Sequence, residues 1–266
     1  MNTFIGIFLG IVIVFSSFYF EGGSPYWVLS WTAMLVVIGG AILATLAGSN
    51  WNEIKKLPKL IRLAFTTNNY DYPKQINLLV YLSTKARKDG VLTLESELDK
   101  VKDPFLKKIL QYAIDGVEAE TYEKLCETEL NYITDRHETY IDLFQRLAGF
   151  SPTMGVLGTI IALITTLANA AEEPNLLIRK IAFAFITTFW GIFMANFFWL
   201  PIADKLRNKH NEEMQVFQMM VDGVYGIVVG EVPSVIRARL SGFYPTQEQF
   251  KILNERAKFK SLKKGD

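Results

Sequence analysis

Four long stretches of this 266-residue chain contain no charged side chain, and this feature constrains the fold more than any other. They cover residues 1–20, 22–52, 147–171 and 181–203. A helix needs about 20 apolar residues to cross the hydrocarbon core of a bilayer, so each stretch is long enough for one crossing. The sequence therefore predicts a membrane protein with four transmembrane helices.

The first apolar stretch could instead be a secretory signal peptide. It lacks the basic segment at its start and the small-residue cleavage site that signal peptides carry. Only residues 21–26 separate it from the next apolar run, residues 27–47. This short connection favours a hairpin of two membrane helices.

The distribution of basic residues predicts the orientation in the membrane. Lys and Arg are concentrated in residues 50–148 and after Pro201, and elsewhere only Arg179 and Lys180 occur. Basic residues accumulate on the cytoplasmic side of membrane proteins. We therefore expect both polar segments and both termini to be cytoplasmic, with the basic end, residues 251–266, as a tail near the membrane surface.

The polar segments have the periodicity of amphipathic helices. Apolar residues recur at three- and four-residue spacing from Leu106 to Val117 and again from Tyr122 to Phe144. The second stripe is expected to pack on another helix of the same chain or on a second copy of it. Residues 204–229 continue the helical register after the fourth apolar stretch.

The predicted fold class is therefore an all-α membrane protein, with four transmembrane helices and a helical cytoplasmic domain inserted between the second and third spans. Residues 1–48 would form the first two spans and a short outer loop, and residues 49–147 the cytoplasmic domain. Residues 148–203 would form the third and fourth spans, and residues 204–266 a cytoplasmic helical extension with the basic tail.

No Asp, Glu, Lys, Arg or His lies within the four apolar stretches. A charge at the centre of a bilayer costs about 3 kcal/mol, so membrane proteins retain one there only for function. If this chain conducts ions, the ionisable group must come from a partner, and the chain itself contributes hydroxyls, carbonyls and shape. The 28 basic and 27 acidic side chains nearly balance, so the composition does not predict nucleic-acid binding.

Small and hydroxyl-bearing residues mark the third and fourth stretches. Gly155 would let another backbone approach closely, and Thr159 places an oxygen nearby. The fourth stretch contains Thr187, Thr188 and Asn196. Helix packing would also explain these residues, because threonines in membrane helices bond back to their own backbone.

Two prolines lie near the inner ends of these stretches. Ser151 followed by Pro152 is typical of a helix start, with serine as the N-cap and proline at the first helical position. Two interpretations of Pro201 remain open. Either the helix ends there, or it continues with a kink because the ring removes the hydrogen bond to the carbonyl of Phe197.

A glycine turn between two helices is predicted at Gly90. Arg87 would lie in the last turn of the first helix and Glu95 in the first turn of the next. Each charge would then complement a helix dipole. On this basis alone both residues are surface charges.

Several short motifs occur in order between residues 86 and 233. They are ARKDG at 86–90 with LE at 94–95, DPFL at 103–106 with DG at 115–116, SPTMGVLGT at 151–159, AFITT at 184–188 with AN at 195–196, LPIA at 200–203 and GEVP at 230–233. No single motif is diagnostic. Their order and spacing across the four stretches resemble those of the MotA and PomA stator subunits of the bacterial flagellar motor. The resemblance covers the chain from residue 1 to about residue 240.

This resemblance implies a pentamer of such chains around two membrane helices of a MotB-like partner, whose aspartate carries the ion. It also implies that Arg87 and Glu95 engage a FliG-like rotor protein of the flagellar switch, with Lys88 and Glu97 alongside. The expected location is the bacterial inner membrane.

The resemblance further assigns roles within the membrane. Pro152 and Pro201 correspond to the family's two functional prolines, which couple ion passage to motion. Thr159 and Thr188 would line the ion path. Sodium-driven members have threonine at the Thr159 position, where many proton-driven members have alanine, so sodium is favoured over protons as the transported ion. No bound cofactor is implied.

Other classes remain as alternatives. A TolQ- or ExbB-like energy-transducing subunit shares the ring around a partner helix, but it has three spans. The anti-phage ZorA motor has a long helical tail, which this sequence lacks after residue 240. A structural scaffold or a small-solute transporter is the third alternative.

An enzyme is not expected. The sequence has no phosphate-binding loop and no nucleophile paired with a base. Cys126 is the only cysteine, and His137 and His210 are too far apart for a two-histidine zinc motif.

Overall fold

The computed structural model describes residues 2–66, 70–168 and 174–243, and every regular element in these ranges is a helix. This confirms the predicted all-α fold. The basic tail at residues 251–266 lies outside the described residues.

The α-helices vary in length from single turns to 50 residues. In chain order they are α1 (Asn2–Phe20), α2 (Pro25–Val28), α3 (Trp31–Met34), α4 (Gly40–Ala47), α5 (Trp51–Ile54), α6 (Leu57–Ala64), α7 (Tyr72–Asp89), α8 (Pro104–Ile114), α9 (Ala119–Ala168), α10 (Pro174–Met194), α11 (Leu200–Val228) and α12 (Pro233–Leu240). Two π-helical turns, Leu35–Gly39 and Ala195–Trp199, join α3 to α4 and α10 to α11. Two 3-10 helices, Val91–Lys100 and Ser241–Phe243, complete the set.

Among the described residues, two helical segments are long and apolar enough to cross a membrane. They are Ala119–Ala168 and Leu177–Val228, which contain the predicted third and fourth spans. The helices Ile5–Phe20 and Trp31–Ala47 are apolar but shorter. Length and composition therefore identify two spans, and the arrangement of four remains a prediction.

The chain divides into two compact units. The first contains the described residues of Met1–Thr66 and Arg136–Lys209, and the second those of Thr67–Asp135 and His210–Asp266. Both α9 and α11 contribute residues to each unit.

The core of the first unit includes a cluster of aromatic and aliphatic side chains from α4, α6, α9 and the region of the second π-helical turn. Phe144, Leu147 and Ile202 are almost fully buried, and the ring centroids of Phe144 and Trp199 lie 6.4 Å apart. Trp190 donates a hydrogen bond to the carbonyl of Val28 at 2.7 Å. The first contact fixes α9 against the second π-helical turn, and the second fixes α10 against α2.

The second unit has its own core, formed by α7, α8, α12 and parts of α9 and α11. The rings of Phe105 and Phe217 stack with centroids 4.3 Å apart. Tyr122 is fully buried and donates a hydrogen bond to the carbonyl of Val221 at 3.4 Å. The apolar stripe on α9 therefore packs on the same chain, one of the two alternatives that the sequence left open.

The predicted helix start at Ser151 and Pro152 is wrong. Helix α9 is continuous, and Pro152 lies inside it. The hydroxyl of Ser151 donates to the carbonyl of Leu147 at 2.8 Å, within the preceding turn, and does not cap a helix start. A proline inside a helix removes one hydrogen bond of the backbone ladder, here the bond to the carbonyl of Ala148, while the turns on both sides continue.

The helix also continues past Pro201, which excludes the helix stop. The π-helical turn Ala195–Trp199 directly precedes α11, whose second residue is Pro201. The helical register continues to Val228, and Gly230 then adopts a φ of +73°, a backbone conformation that favours glycine.

Candidate functional site

Helices α9 and α10 cross at glycines, where their backbones touch. A Cβ on Gly155 would lie 2.9 Å from the carbonyl oxygen of Thr187 and 3.2 Å from the Cα of Gly191. A Cβ on Gly191 would lie 2.7 Å from the carbonyl oxygen of Ser151. Only glycine permits this approach at either position, because the neighbouring atoms belong to backbone that cannot rotate away.

Three threonine hydroxyls meet next to this crossing. The Oγ1 of Thr159 lies within hydrogen-bonding distance of the Thr188 hydroxyl and 3.3 Å from that of Thr187. The carbonyl oxygen of Ala184 lies 2.8 Å from the Thr159 hydroxyl and 2.7 Å from the Thr187 hydroxyl. The carbonyl oxygen of Gly155 is 3.1 Å from the Thr159 hydroxyl. We call Thr159, Thr187 and Thr188 the threonine cluster.

The structure thus brings together Thr159 and Thr188, the two residues predicted to line an ion path. Thr187, whose contribution the sequence left open, is the fully buried member of the cluster. Its position four residues before Gly191 places it on the glycine face of α10, a spacing that could have identified it. Asn196 lies elsewhere, since it is exposed and its amide donates to the carbonyl of Ile192 at 2.9 Å.

The cluster offers hydroxyl and carbonyl oxygens and no charge. Each hydroxyl both donates and accepts, so the three can exchange hydrogen bonds among themselves and with a passing water, and their oxygen lone pairs can coordinate a cation. Oxygen dipoles of this kind replace part of the hydration shell of a monovalent cation in channels. Among the described residues no group of His, Cys, Asp and Glu side chains could hold a resident metal ion.

Both prolines predicted to couple ion passage to motion lie in the first unit, as does the threonine cluster. A Cβ on Gly191 would lie 3.1 Å from the Cα of Pro152, so the proline turn of α9 is in backbone contact with α10. Trp199, two residues before Pro201, donates a hydrogen bond from Nε1 to the hydroxyl of Ser151 at 3.0 Å. The sequence did not single out this pair, because it joins residues 48 positions apart.

In the second unit, α7 ends at Asp89, and Gly90 has a φ of +89° that favours glycine. The next element is the 3-10 helix Val91–Lys100, which confirms the predicted order of helix, glycine turn and helix. Arg87, Lys88 and Glu95 are exposed around this turn.

Glu97 differs from the other three residues of the predicted rotor surface, because it is only 5% exposed. Its carboxylate pairs with Lys85 at 2.6 Å and with Lys100 at 3.0 Å. Hydrogen bonds from Lys85, and then from Lys100, lower the pKa of the Glu97 carboxyl, and the bond to Glu97 raises the pKa of Lys85. The pair with Lys85 holds the 3-10 helix against α7, and the pair with Lys100 lies within the 3-10 helix.

An all-helical fold, with membrane-length helices that cross at glycines beside a cluster of hydroxyls, defines a channel-type membrane subunit. Two family models cover most of the chain: "Motility protein A N-terminal" matches residues 4–90, and "MotA/TolQ/ExbB proton channel family" matches residues 97–219. The chain belongs to the motility protein A family, within this wider family of proton channels.

Individual relatives support this family assignment. The chain is 32% identical to motility protein A of Borreliella burgdorferi over 92% of its own length and 93% of the relative's. It is 32% identical to motility protein A of Bacillus subtilis, over 96% and 94% of the two lengths. The structure of the flagellar MotAB stator complex from Bacillus subtilis matches with a TM-score of 0.85 and 31% identity, covering 94% of this chain and 98% of that one.

Family membership confirms two predictions. The chain is a channel-type subunit and not an enzyme. It is also a protein of the bacterial inner membrane.

Proposed function

We propose that the chain is the ion-conducting stator subunit of a bacterial flagellar motor, which converts a flow of cations into torque together with a MotB-like partner. The observation that carries this proposal is the uncharged threonine cluster beside the glycine crossing of α9 and α10. The threonine cluster can stabilise a cation only by the dipoles of its oxygen atoms. A partner must therefore supply the ionisable group, and an aspartate on a MotB-like membrane helix fits this need.

The proposed assembly is a pentamer of this chain around two partner helices. Each chain would cross the membrane four times, with α1 and the helix from α3 to α4 as the first two spans and both termini in the cytoplasm. The flagellar MotAB stator complex from Bacillus subtilis, at 31% identity, supports the association with a MotB-like subunit.

The energetics suit this role. A cation that passes through a membrane potential of 100 mV releases about 2.3 kcal/mol. Binding of the cation to the partner's aspartate changes the charge that the threonine cluster faces. The ring of subunits then favours a new position around the partner, and the release of the ion completes the step.

Sodium is the proposed ion. Three hydroxyls and the carbonyl oxygens of Ala184 and Gly155 converge at one place, and oxygen dipoles of this kind are ligands for an alkali cation. A proton transferred along water needs fewer fixed oxygens. Thr187 joins Thr159 and Thr188 in the proposed path, and Asn196 does not.

The proposed rotor contact is made by Arg87, Lys88 and Glu95, which are exposed at the Gly90 turn. Exposed ion pairs contribute about 0–1 kcal/mol each, so such contacts can form and break with every step. We assign Glu97 a positioning role beneath this surface, because its carboxylate is buried against Lys85 and Lys100.

A TolQ- or ExbB-like or ZorA-like subunit of a non-flagellar complex is the second candidate. The family model over residues 97–219 includes TolQ and ExbB and is compatible with this alternative. The model over residues 4–90 is that of the motility protein A N-terminus, and it favours the flagellar motor.

The experiment measures the rotation speed of the flagellar motor in cells that depend on this chain and its partner. The sodium concentration is varied at fixed pH and membrane potential. Thr159→Ala tests the path, and Thr166→Ala is its control, because Thr166 is a buried threonine of the same helix that bonds to the carbonyl of Ala162. Speed that rises with sodium and collapses only in Thr159→Ala supports a sodium stator. Speed that does not respond to sodium refutes sodium coupling, and absence of rotation with an assembled complex refutes the flagellar role.

A further inference from the structure

A buried hydrogen bond joins the two proline-containing segments of the first unit. Trp199 donates from Nε1 to the hydroxyl oxygen of Ser151 at 3.0 Å, and the Ser151 hydroxyl donates its own proton to the carbonyl of Leu147 at 2.8 Å. Ser151 is fully buried and Trp199 is 5% exposed. The indole N–H would have no water to replace the serine if the two side chains separated.

Each partner of this bond lies next to a defect in a backbone ladder. Pro152 follows Ser151 and cannot donate to the carbonyl of Ala148, and Pro201 cannot donate to the carbonyl of Phe197. Trp199 itself lies in the π-helical turn Ala195–Trp199, a second local departure from the α-helix. Helices bend most readily at such points.

The backbone provides a second contact between the same segments. The carbonyl of Ser151 and the Cα of Pro152 lie so close to Gly191 that a Cβ there would be 2.7 Å and 3.1 Å away. Ser151 therefore touches the helix that follows α9 with its backbone at Gly191 and with its side chain at Trp199. Two contacts that are eight residues apart along that helix fix its orientation as well as its distance.

We propose that Ser151 and Trp199 are positioning residues that make the two proline turns move as one body during each step. This inference rests on the proposed function. Without the hydrogen bond, either helix could bend at its own proline while the other stayed in place. With it, a displacement of one proline turn is passed to the other, because separation would leave a buried donor unpaired.

The test is a double-mutant cycle in the complete chain, expressed with its partner in motile cells. The variants are Ser151→Ala, Trp199→Phe and the two combined. The readout is the speed increment of a bead-loaded motor when a single stator complex joins it, since this increment does not depend on how many complexes assemble. The amount of complex in the membrane is measured in parallel.

Two matched controls are available. Thr153→Ala removes a hydroxyl from the same turn of α9, where it donates only to the carbonyl of Phe150 at 2.8 Å. Trp190→Phe removes an indole donor from a buried hydrogen bond to Val28 elsewhere in the first unit.

We expect each single variant to reduce the increment about threefold or more, and the combined variant to be no worse than the more severe single one. Thr153→Ala and Trp190→Phe should keep the wild-type increment. Increments in Ser151→Ala and Trp199→Phe that equal the control values, or effects that multiply in the combined variant, overturn the inference. Should Trp199→Phe fail to assemble, Ser151→Ala against Thr153→Ala decides the question. If the wild-type chain produces no increments at all, the proposed function itself has failed.

Discussion

Gly155 and Gly191 face each other where α9 and α10 cross, and a Cβ on Gly191 would lie 3.1 Å from the Cα of Gly155. We predict that Gly191→Ala forces the two helices apart, because the same Cβ would also meet the carbonyl oxygen of Ser151 at 2.7 Å. Overpacking of this kind costs about 1–3 kcal/mol. The purified complex should therefore unfold at a lower temperature.

Gly149→Ala is the control for this prediction. Gly149 lies in α9, the helix that Gly191 contacts, and a Cβ on it would meet no atom of the described chain within 4 Å. Alanine is also a better helix former than glycine, so this variant should be neutral or stabilising. Equal unfolding temperatures for both variants would show that the glycine crossing does not limit stability.

Thr187→Val should weaken the response to the transported cation. Valine keeps the shape of the side chain and removes the hydroxyl, which lies 2.7 Å from the carbonyl of Ala184 and 3.3 Å from the Thr159 hydroxyl. We expect the sodium concentration for half-maximal speed to rise about threefold to tenfold, the effect of losing one buried polar contact. The sodium concentration for half-maximal speed should stay unchanged in Thr166→Val, a variant that loses a buried hydroxyl on α9. A shift of the same size in both variants would argue against the threonine cluster as the ion path.

The fold was largely predictable because its signals are local. Charge-free stretches and three-and-four spacing both act within one helix, and they predicted the helices, their apolar faces and the end of α11 near Gly230. The start predicted at Ser151 failed for a physical reason. Serine followed by proline is compatible with a helix start and with a helix interior, and the contact of this turn with Gly191 and Trp199 lies outside any local window.

The site was predictable only in part. Thr159 and Thr188 were singled out by type and by resemblance, but the burial of Thr187 depends on which face of α10 meets α9. The sequence does not distinguish Glu97 from the other charged residues of this polar segment, although its carboxylate is buried against Lys85 and Lys100. A single sequence contains little information about contacts between residues that are far apart along the chain.

Reversing two exposed charges at the Gly90 turn should abolish rotation. We predict that Arg87→Glu combined with Glu95→Lys stops motility while the amount of complex in the membrane stays normal, because both side chains are exposed. The control reverses the exposed ion pair of Lys107 and Asp99 in the same unit, 3.4 Å apart. Normal swimming after reversal of Arg87 and Glu95 would exclude them from the rotor contact.

Cys126 should resist alkylation in the native protein. Its thiol is fully buried in the core of the second unit, and this burial raises the pKa of the thiol, which reduces the reactive thiolate. We expect a maleimide at neutral pH to label it only after denaturation. Cys126→Ser combined with Thr128→Cys moves the thiol to an exposed position two residues later and should be labelled at once. Rapid labelling of native Cys126 would contradict the described core.

The stabilising effect of Glu97 should depend on pH. Its ion pairs with Lys85 and Lys100 lower the pKa of the carboxyl below its ordinary value of 4.5. A lowered pKa in the folded state means that the stabilisation is complete above the ordinary value and is lost as the pH falls through the folded-state pKa. Glu97→Gln should therefore lower the unfolding temperature at pH 7, and the difference from wild type should disappear in acid.

The control variant for Glu97→Gln is Glu120→Gln. Glu120 pairs with Lys124 at 2.7 Å, but both side chains are at least 71% exposed, so solvent screens the pair and its loss should change the unfolding temperature little at any pH. A difference between Glu97→Gln and wild type that persists unchanged to low pH would assign the effect to packing and not to the carboxylate. The 3-10 helix that carries Glu95 would then be held by its apolar contacts, Leu94 and Leu98, both of which are buried.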